Sequence, residues 1–223
     1  MNNSSASTRQ SHFGILQMNE TSTTARRPAV FLDRDGTVNV EVHYLSLAEQ
    51  IDLLPTVAET ISMLNSRGIP VVIVTNQAGI ARGYFPEHRL IAIHDHLRRI
   101  LADKNARIDG IYYCPHHPSA GLGEYRKVCD CRKPMPGMLT RAAGELAIDL
   151  TRSLMIGDRE SDLQAGANAG CQTALVTTGY GIETSAAMDL KSVGGIGIFP
   201  TIADAVTEWL NQSNDKANLT SSR

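Results

Sequence analysis

Polar side chains follow three short apolar runs of this sequence, at the point where each run ends. They are Asp33 and Asp35 after the first run, Thr75 and Asn76 after the second, and Asp158 and Asp162 after the third. Carboxylates from separate strands that converge at one edge repel each other unless a cation lies between them. Hard oxygen ligands without a nearby histidine favour Mg²⁺. A single aspartate after a strand is usually a turn former or a helix cap, but three such groups in order predict a magnesium site.

A second group of residues offers sulfur and nitrogen ligands. Cys114-Pro115-His116 is followed, after twelve residues, by Cys129-Asp130-Cys131. Three thiolates and one imidazole suit tetrahedral Zn²⁺ without an open position, so we predict a structural zinc site rather than free thiols and a surface histidine. The surrounding loop is poor in core-forming residues, and a bound metal would replace the burial that it lacks. Cys171 is expected to pack in the core, and the use of cysteines as ligands indicates a reducing compartment.

Apolar runs alternate along the chain with stretches of helical periodicity, and these elements must position the polar groups. The strands predicted from the runs cover residues 29–32, 70–74, 153–156, 174–176 and 195–199, with a strand-like segment at 111–113. The predicted helices cover residues 56–66, 87–104, 138–147, 161–169 and 202–210. Strands in alternation with helices predict an α/β fold with a single Rossmann-like, doubly wound parallel sheet. The carboxyl ends of its strands share one edge, which is where the polar groups are expected to meet.

Composition excludes several classes of protein. The 223 residues are 42% hydrophobic and 20% charged, with a formal net charge of −2. This balance argues against broad electrostatic binding of nucleic acid or of an anionic membrane, and the chain lacks the run of about 18 apolar residues that a transmembrane helix needs. We predict a cytoplasmic monomer with one domain over residues 28–211, a disordered extension over 1–27 and a polar tail over 212–223.

Four motifs resemble those of the haloacid dehalogenase (HAD) superfamily of phosphatases. They are Phe31-Leu32-Asp33-Arg34-Asp35-Gly36-Thr37, Thr75 at a strand end, Lys133 in Cys131-Arg132-Lys133-Pro134, and Ile156-Gly157-Asp158-Arg159-Glu160-Ser161-Asp162. Their order and strand context match the superfamily, and the resemblance covers residues 28–210. It implies the HAD fold with a small zinc-binding loop. Only about 37 residues separate the first two motifs, which is too few for a large cap there.

The resemblance also implies a role in phosphoryl transfer for each motif residue. Asp33 would attack phosphorus and form an aspartyl-phosphate, and Asp35 would act first as general acid and then as general base. Thr75 and Lys133 would hold the equatorial oxygens of the phosphoryl group. Mg²⁺ would be bound by Asp33, the backbone carbonyl of Asp35, and Asp158.

Three longer segments resemble one particular family within this superfamily. They run from Asn76 to Phe85, from Tyr112 to Pro118 and from Cys129 to Met138. Together they resemble the D-glycero-D-manno-heptose 1,7-bisphosphate 7-phosphatases, which serve the synthesis of bacterial lipopolysaccharide core or of related nucleotide-activated heptoses. The implied partner is therefore a small phosphorylated sugar. The implied zinc ligands are Cys114, His116, Cys129 and Cys131, with His116 favoured over the adjacent His117.

A bisphosphate substrate needs a second cationic group besides Lys133. Arg132 is the candidate because its planar fork suits phosphate. Arg82 is either a further substrate-binding residue or a solvated loop residue, and Asn76 is a candidate to hydrogen-bond the sugar or phosphate. Four further polar residues are interpreted as one solvated helix face, namely His94, His96, Arg98 and Arg99.

Three other functions remain open at this point. Histidinol-phosphate phosphatases share the zinc-loop pattern. A non-enzymatic zinc module would also explain the cysteines, but it would have no need for acidic groups at strand ends. A phosphotransferase or mutase would pass the aspartyl-phosphate to another acceptor, whereas Asp35 as a base for water favours hydrolysis. The choice between the two anomers of the heptose depends on loop geometry near C1.

Overall fold

The structure, a computed structural model, describes residues 25–121 and 123–221, with the backbone alone described for 215–221. The extension predicted over residues 1–27 therefore lies almost entirely outside the described residues. At the start of the described chain, the backbone N–H of Arg27 donates to Ala147 over 3.2 Å, and its carbonyl accepts from Asp149 over 2.9 Å. Arg26 donates from its guanidinium to the carbonyl of Ile148. Both arginines thus contact the loop that precedes the fourth strand.

Parallel strands form one six-stranded sheet, and the first strand along the chain lies in its interior. The strands are β1 Val30–Leu32, β2 Val71–Asn76, β3 Gly110–Cys114, β4 Leu154–Gly157, β5 Gln172–Val176 and β6 Gly195–Phe199. Their order across the sheet is β3-β2-β1-β4-β5-β6. Leu32 pairs with Ile73 on one side and with Ile156 on the other. The predicted doubly wound α/β architecture is confirmed, and the strand-like segment at 111–113 belongs to β3.

Continuous apolar runs allow the central strands to be buried on both faces of the sheet. Every residue of β1 and β4 is buried. Leu32 and Ile156 belong to one core cluster, whereas Phe31 and Met155 belong to another. Since successive side chains of a strand point to opposite faces, the two clusters are the two layers between the sheet and its helices.

The helices are α1 Val57–Ser66, α2 Glu87–Ala102, α3 Gly137–Glu145, α4 Glu160–Ala169, α5 Gly181–Ala187 and α6 Ile202–Ser221. The ends of α1 to α4 lie within two residues of their predicted positions. Helix α5 has no apolar periodicity, because Gly181 is its one buried residue. Helix α6 continues past Leu210 through most of the segment predicted as a polar tail.

The connection from β1 to α1 covers residues 33–56 and folds back on itself. The backbone N–H of Val40 donates to Asp52 over 2.9 Å, and that of Leu54 donates to Val38 over 3.0 Å. This connection contains one 3₁₀ turn, Ala48–Gln50. A connection with one 3₁₀ turn and these backbone hydrogen bonds agrees with the expectation that no large cap is inserted here. Among residues 25–121 and 123–221, every helix is too short or too polar to span a bilayer.

Truncating a buried side chain of α2 should destabilise the domain far more than truncating an exposed one. Leu97 is fully buried, whereas Ile91 on the same helix is 49% exposed. We expect Leu97→Ala to lower the free energy of unfolding by about 2–5 kcal/mol, because it leaves a cavity. The matched variant Ile91→Ala should stay within about 0.5 kcal/mol. Urea denaturation of both variants would measure this, and equal losses would contradict the assigned burial.

Candidate active site and zinc cluster

The polar groups that follow the strands meet where the strand order reverses. Strands β2 and β3 lie to one side of β1, and β4, β5 and β6 lie to the other. Ligand sites of open α/β sheets form at such a switch point, beyond the carboxyl ends of the strands. A cleft of about 330 Å³ lies here, lined among others by Asp33, Asp35, Thr75, Asn76, Arg132, Lys133 and Asp162. These seven residues, all singled out in the sequence, therefore share one cleft.

Three buried carboxylates lie close enough to share one metal ion. One oxygen each of Asp33, Asp158 and Asp162 lies within 4.8 Å of the others. Burial and the charge of Asp162 raise the pKa of Asp158 to about 7. Burial also raises the pKa of Asp33 well above its usual range, although Lys133 opposes this. A divalent cation would offset both the burial and the mutual repulsion that raise these two pKa values, so the donor set fits Mg²⁺.

Asp158 has one oxygen available for such an ion. Its Oδ2 accepts a hydrogen bond of 2.8 Å from the backbone N–H of Tyr180. Its Oδ1 is buried and has no hydrogen-bond partner among the described residues. Gly36 and Gly179 both have positive φ, and a Cβ at either position would overlap the Asp158 carboxylate. Glycine is therefore required at both positions by the backbone angle and by the close approach of Asp158.

Lys133 supplies the positive charge at the centre of the site. Its ammonium is 2.7 Å from Oδ1 of Asp33 and 2.7 Å from Oδ1 of Asp162, and it donates to the carbonyl of Val74 over 2.8 Å. Burial alone would lower the pKa of Lys133, but the two carboxylates outweigh it and raise that pKa. The side chain is therefore a charged ammonium that donates hydrogen bonds to Asp33 and Val74 and forms an ion pair with Asp162.

Asn76 holds the backbone that carries this lysine. Its Nδ2 donates to the carbonyl of Lys133, and its Oδ1 accepts from the N–H of Lys133, both over 3.1 Å. The role predicted for Asn76, a hydrogen bond to substrate, stays a prediction. Its amide already links the end of β2 to the loop between the zinc ligands and α3. Thr75 beside it is buried, and its hydroxyl accepts from Gln77 over 2.8 Å.

Asp35 lies outside the carboxylate cluster with its side chain held by donors. Arg34 donates from Nε to Oδ1 over 3.0 Å and from Nη2 to Oδ2 over 2.7 Å. Asn39 and Gln77 donate one further hydrogen bond each. Burial alone would raise the pKa of Asp35, but the Arg34 charge and these hydrogen bonds bring it below its usual range. The side chain retains 20% exposure, so it can meet a ligand in the cleft.

His94 on α2 completes this arrangement, and its interpretation as part of a solvated helix face is wrong. The side chain is buried, with 6% exposure. Its Nε2 lies 3.2 Å from Nη1 of Arg34. The helical spacing shows only that His94 has polar neighbours on its own helix. It cannot show that the ring contacts the buried guanidinium of Arg34, which belongs to a different part of the chain.

The four predicted zinc ligands come together at the end of β3. The distances between the sulfur atoms of Cys114, Cys129 and Cys131 are 3.3 to 3.5 Å, and Nδ1 of His116 lies 3.7 Å from Cys114 and 3.3 Å from Cys131. A tetrahedral zinc with bonds of about 2.3 Å would place its sulfurs roughly 3.8 Å apart. The thiols are free. Donor set and spacing therefore fit Zn²⁺ without an open position.

The two arginine candidates for substrate binding lie in different places. Arg132 lines the cleft, and its Nη1 donates to the carbonyl of His116 over 3.2 Å. Arg82 is exposed, is not part of the cleft lining, and lies 3.2 Å from Nε2 of His117 through its Nη2. The structure thus brings Arg132 together with the catalytic candidates and leaves Arg82 on the zinc-loop side.

Further residues at the cleft carry charge and aromatic surface that the motif analysis did not assign. Arg159 lies over the ring of Tyr180, 3.6 Å from its centroid, and its Nη2 is 3.6 Å from Oε2 of Glu41. The hydroxyl of Tyr180 is 2.9 Å from Nδ1 of His43. All four residues line the cleft. Arg159 directly follows the motif aspartate Asp158, and this position is the feature of the sequence that could have indicated a place at the cleft.

Comparison with known proteins identifies relatives of this chain. The HAD-hydrolase-like family model matches residues 130–205. The chain is 48% identical over 160 residues to the D-glycero-beta-D-manno-heptose-1,7-bisphosphate 7-phosphatase of Photorhabdus laumondii, covering 71% of this chain and 85% of that relative. Identity to the protein of the same name from Escherichia coli K12 is 45% over 160 residues, covering 71% and 84%.

A solved structure supports the same relationship. The crystal structure of D,D-heptose 1,7-bisphosphate phosphatase from B. bronchiseptica, complexed with magnesium and phosphate, matches with a TM-score of 0.73 and 38% identity. The match covers 83% of this chain and 99% of that one. The chain belongs to the heptose-bisphosphate phosphatase family of the HAD superfamily. The superfamily, the fold and the phosphatase class predicted from the four motifs are thereby confirmed.

Mutation of Asn76 in this heptose-bisphosphate phosphatase family member would test whether the residue positions Lys133 or contacts substrate. We expect Asn76→Ala to lower kcat about tenfold or more with little change in KM, because the lysine backbone loses both hydrogen bonds. Steady-state kinetics would measure the two constants separately. A higher KM at unchanged kcat would instead favour direct substrate contact.

Asn65 offers a matched control for that variant. It makes the same pair of side-chain hydrogen bonds, to the backbone of Arg107, and it lies outside the cleft lining. Asn65→Ala should leave kcat and KM within twofold of the parent. A comparable loss of kcat in both variants would point to general destabilisation.

Proposed function

We propose that this protein hydrolyses the 7-phosphate of D-glycero-beta-D-manno-heptose 1,7-bisphosphate through an aspartyl-phosphate on Asp33. The observation that carries the proposal is the buried carboxylate of Asp33, held 2.7 Å from Lys133 at the β1–β4 switch point. The names of the curated relatives support both the substrate and the beta anomer. The same function would place the enzyme in the synthesis of heptose for bacterial lipopolysaccharide or for nucleotide-activated heptoses.

Asp33 is the proposed nucleophile because it extends the central strand into the cleft. Its carboxylate oxygen forms the new bond to phosphorus while the bond from phosphorus to the sugar oxygen breaks. The strand fixes the backbone of Asp33, whose N–H donates to Ile156 over 3.0 Å. Water then attacks phosphorus of the aspartyl-phosphate and releases inorganic phosphate, which restores the carboxylate.

Lys133 and Thr75 hold the phosphoryl group during this transfer. The ammonium of Lys133 already contacts the attacking carboxylate, so a phosphoryl group joined to Asp33 would lie within its reach. Thr75 provides a hydroxyl from the neighbouring strand. Both groups are positioned before substrate binds, and they stabilise charge on the equatorial oxygens without reorganising.

Asp35 is the proposed general acid and base. In its protonated form it gives its proton to the departing sugar oxygen, and as a carboxylate it accepts a proton from the attacking water. Arg34, Asn39 and Gln77 fix the orientation of the carboxyl group. Its partial exposure gives it access to the leaving oxygen and then to water.

We propose that Mg²⁺ binds to the side chains of Asp33 and Asp158 and to the backbone carbonyl of Asp35, with Asp162 as a further candidate ligand. When bound, the ion offsets repulsion between the anionic nucleophile and the anionic substrate. The unpartnered Oδ1 of Asp158 and the raised pKa of its carboxyl group support this assignment.

Zn²⁺ in the Cys114, His116, Cys129 and Cys131 cluster would have a structural role. Cys131 is two residues from Lys133, and Arg132 between them donates to the carbonyl of His116. A closed site at this point fixes the loop that presents both cationic residues. The reduced thiols that zinc requires also support a cytoplasmic location. Because the described cleft is built from one chain, we propose that the monomer is active.

A bisphosphate substrate agrees with the distribution of positive charge. Arg132 and Arg159 both line the cleft besides Lys133, and a guanidinium binds phosphate through two parallel N–H donors. One phosphoryl group at Asp33 leaves these arginines for the second phosphate. Histidinol phosphate carries a single phosphate and a cationic amine, so it would use neither arginine in this way.

The substrate assignment is tested by comparing kcat/KM for both anomers of the heptose bisphosphate and for histidinol phosphate. We expect the beta anomer to give the highest value, and Asp33→Asn to lower its kcat about a thousandfold or more because the nucleophile is lost. A higher kcat/KM for histidinol phosphate would overturn the substrate. Substantial turnover by Asp33→Asn would overturn the nucleophile. A lack of phosphate release from every phosphorylated sugar would favour a zinc-binding interaction module.

The role of zinc is tested by removing it while Mg²⁺ is kept in excess. We expect that treatment with a thiol-reactive reagent, which releases zinc, and then with a chelator lowers kcat. The loop that carries Lys133 would no longer be fixed by the metal. Cys171 is buried apart from the cluster, so Cys171→Ala provides a background in which thiol modification reports on the cluster alone. Full activity in protein shown by metal analysis to be zinc-free would contradict the structural role.

A further inference from the structure

The buried guanidinium of Arg34 contacts the proposed acid–base residue on one side and a histidine on the other. Arg34 lies between the two catalytic aspartates in sequence, and its side chain is fully buried. Nε and Nη2 form a two-pronged contact with the carboxylate of Asp35, and Nη1 lies 3.2 Å from Nε2 of His94. A buried guanidinium needs such partners, because an unsatisfied buried donor is costly.

The direction of the Arg34–His94 hydrogen bond follows from the chemistry of the two groups. Arginine keeps its protons in proteins and can only donate. Nε2 of His94 must therefore accept, which requires a neutral ring with its proton on Nδ1. Burial, with the adjacent charge of Arg34, lowers the pKa of His94 to about 3 in agreement with this form. His94 is thus a fixed acceptor rather than a proton donor.

The ring of His94 is itself held in place. It packs against the ring of Tyr113 on β3, with centroids 5.8 Å apart and planes inclined at 58°. The hydroxyl of Tyr113 donates to Glu87 at the start of α2 over 2.9 Å. Helix α2 and strand β3 therefore fix the imidazole from two sides, and the imidazole in turn holds Nη1, the guanidinium nitrogen of Arg34 that Asp35 does not contact.

We propose that His94 is a positioning residue of the phosphatase reaction, which orients Asp35 by anchoring the Arg34 guanidinium. The proposal rests on the acid–base role of Asp35 given above. Without an acceptor at position 94, the guanidinium can rotate about its last side-chain bonds toward another partner. The carboxyl group of Asp35 then loses its alignment with the leaving oxygen, although Asp33, Lys133 and Asp158 keep their places.

If His94 positions Asp35, the effect of removing it should depend on the leaving group of the substrate. A sugar alkoxide leaves poorly unless it is protonated, whereas nitrophenolate leaves from p-nitrophenyl phosphate without a general acid. Misalignment of Asp35 should therefore slow transfer from a sugar phosphate much more than transfer from the aryl phosphate. General damage to the fold would slow both transfers alike.

The test measures single-turnover phosphoryl transfer to Asp33 with enzyme in excess, for the heptose bisphosphate and for p-nitrophenyl phosphate. We expect His94→Leu to slow transfer from the sugar phosphate about tenfold or more, and release of nitrophenolate less than threefold. His94→Gln places an amide oxygen near the same position and should restore most of the rate. His96→Leu, on the same helix and outside the cleft lining, is the control and should match the parent.

The outcomes separate this proposal from the assignment of Asp35. Wild-type rates for His94→Leu, or equal losses on both substrates in all His94 variants, would overturn the role of His94. Asp35→Asn is measured in parallel and should show the same leaving-group dependence in a stronger form. If Asp35→Asn keeps its sugar-phosphate rate, the acid–base assignment is wrong and the His94 proposal falls with it.

Discussion

The carboxylate cluster of the active site depends on the ammonium of Lys133, a buried positive charge. Three carboxylates converge at the carboxyl ends of β1 and β4 because the topology brings these strands side by side. Burial makes their mutual repulsion more costly than it would be in water. Lys133 contacts two of them at 2.7 Å, and its raised pKa keeps the charge in place. The remaining repulsion would favour the binding of a divalent cation.

Much of the surrounding structure serves to present that ammonium. Asn76 holds the backbone of Lys133 through two hydrogen bonds, and the last candidate zinc ligand, Cys131, lies two residues before it. Arg132 extends from the same loop into the cleft. A loop with few apolar residues is thus held by side-chain hydrogen bonds next to a cluster of candidate metal ligands. The proposed nucleophile Asp33 and Lys133 are held by different parts of the fold, 100 positions apart in sequence.

Sequence reasoning succeeded where the signal is local. The strands are continuous apolar runs, and the polar groups directly follow them, so Asp33, Thr75 and Asp158 could be placed at one edge of a parallel sheet. The candidate zinc ligands could be found from the types and spacing of four residues, although the choice of His116 over His117 came from the family resemblance. Lys133 is different, because nothing local relates it to Asp33, and it was assigned through motif resemblance.

Contacts between distant elements explain what sequence reasoning missed. His94 lies among polar neighbours on α2, but its buried ring contacts Arg34, sixty residues earlier in the chain. The Arg159–Tyr180 pair joins the loop after β4 to the loop after β5. Helix α5 buries only a glycine and therefore leaves no periodic pattern. In each case the information lies in a pairing that only the folded chain creates.

The interior position of β1 also bears on how the chain folds. Its neighbour β2 follows about forty residues later, but its other neighbour, β4, begins at Leu154. During synthesis β1, β2 and β3 are complete long before β4 emerges, and until then β1 has an open edge of unpaired backbone groups. Pairing over such a sequence distance is slow, and open apolar edges favour association between chains. Addition of β4 closes that edge and brings Asp158 beside Asp33, so the last central strand to dock also creates the charge cluster of the active site.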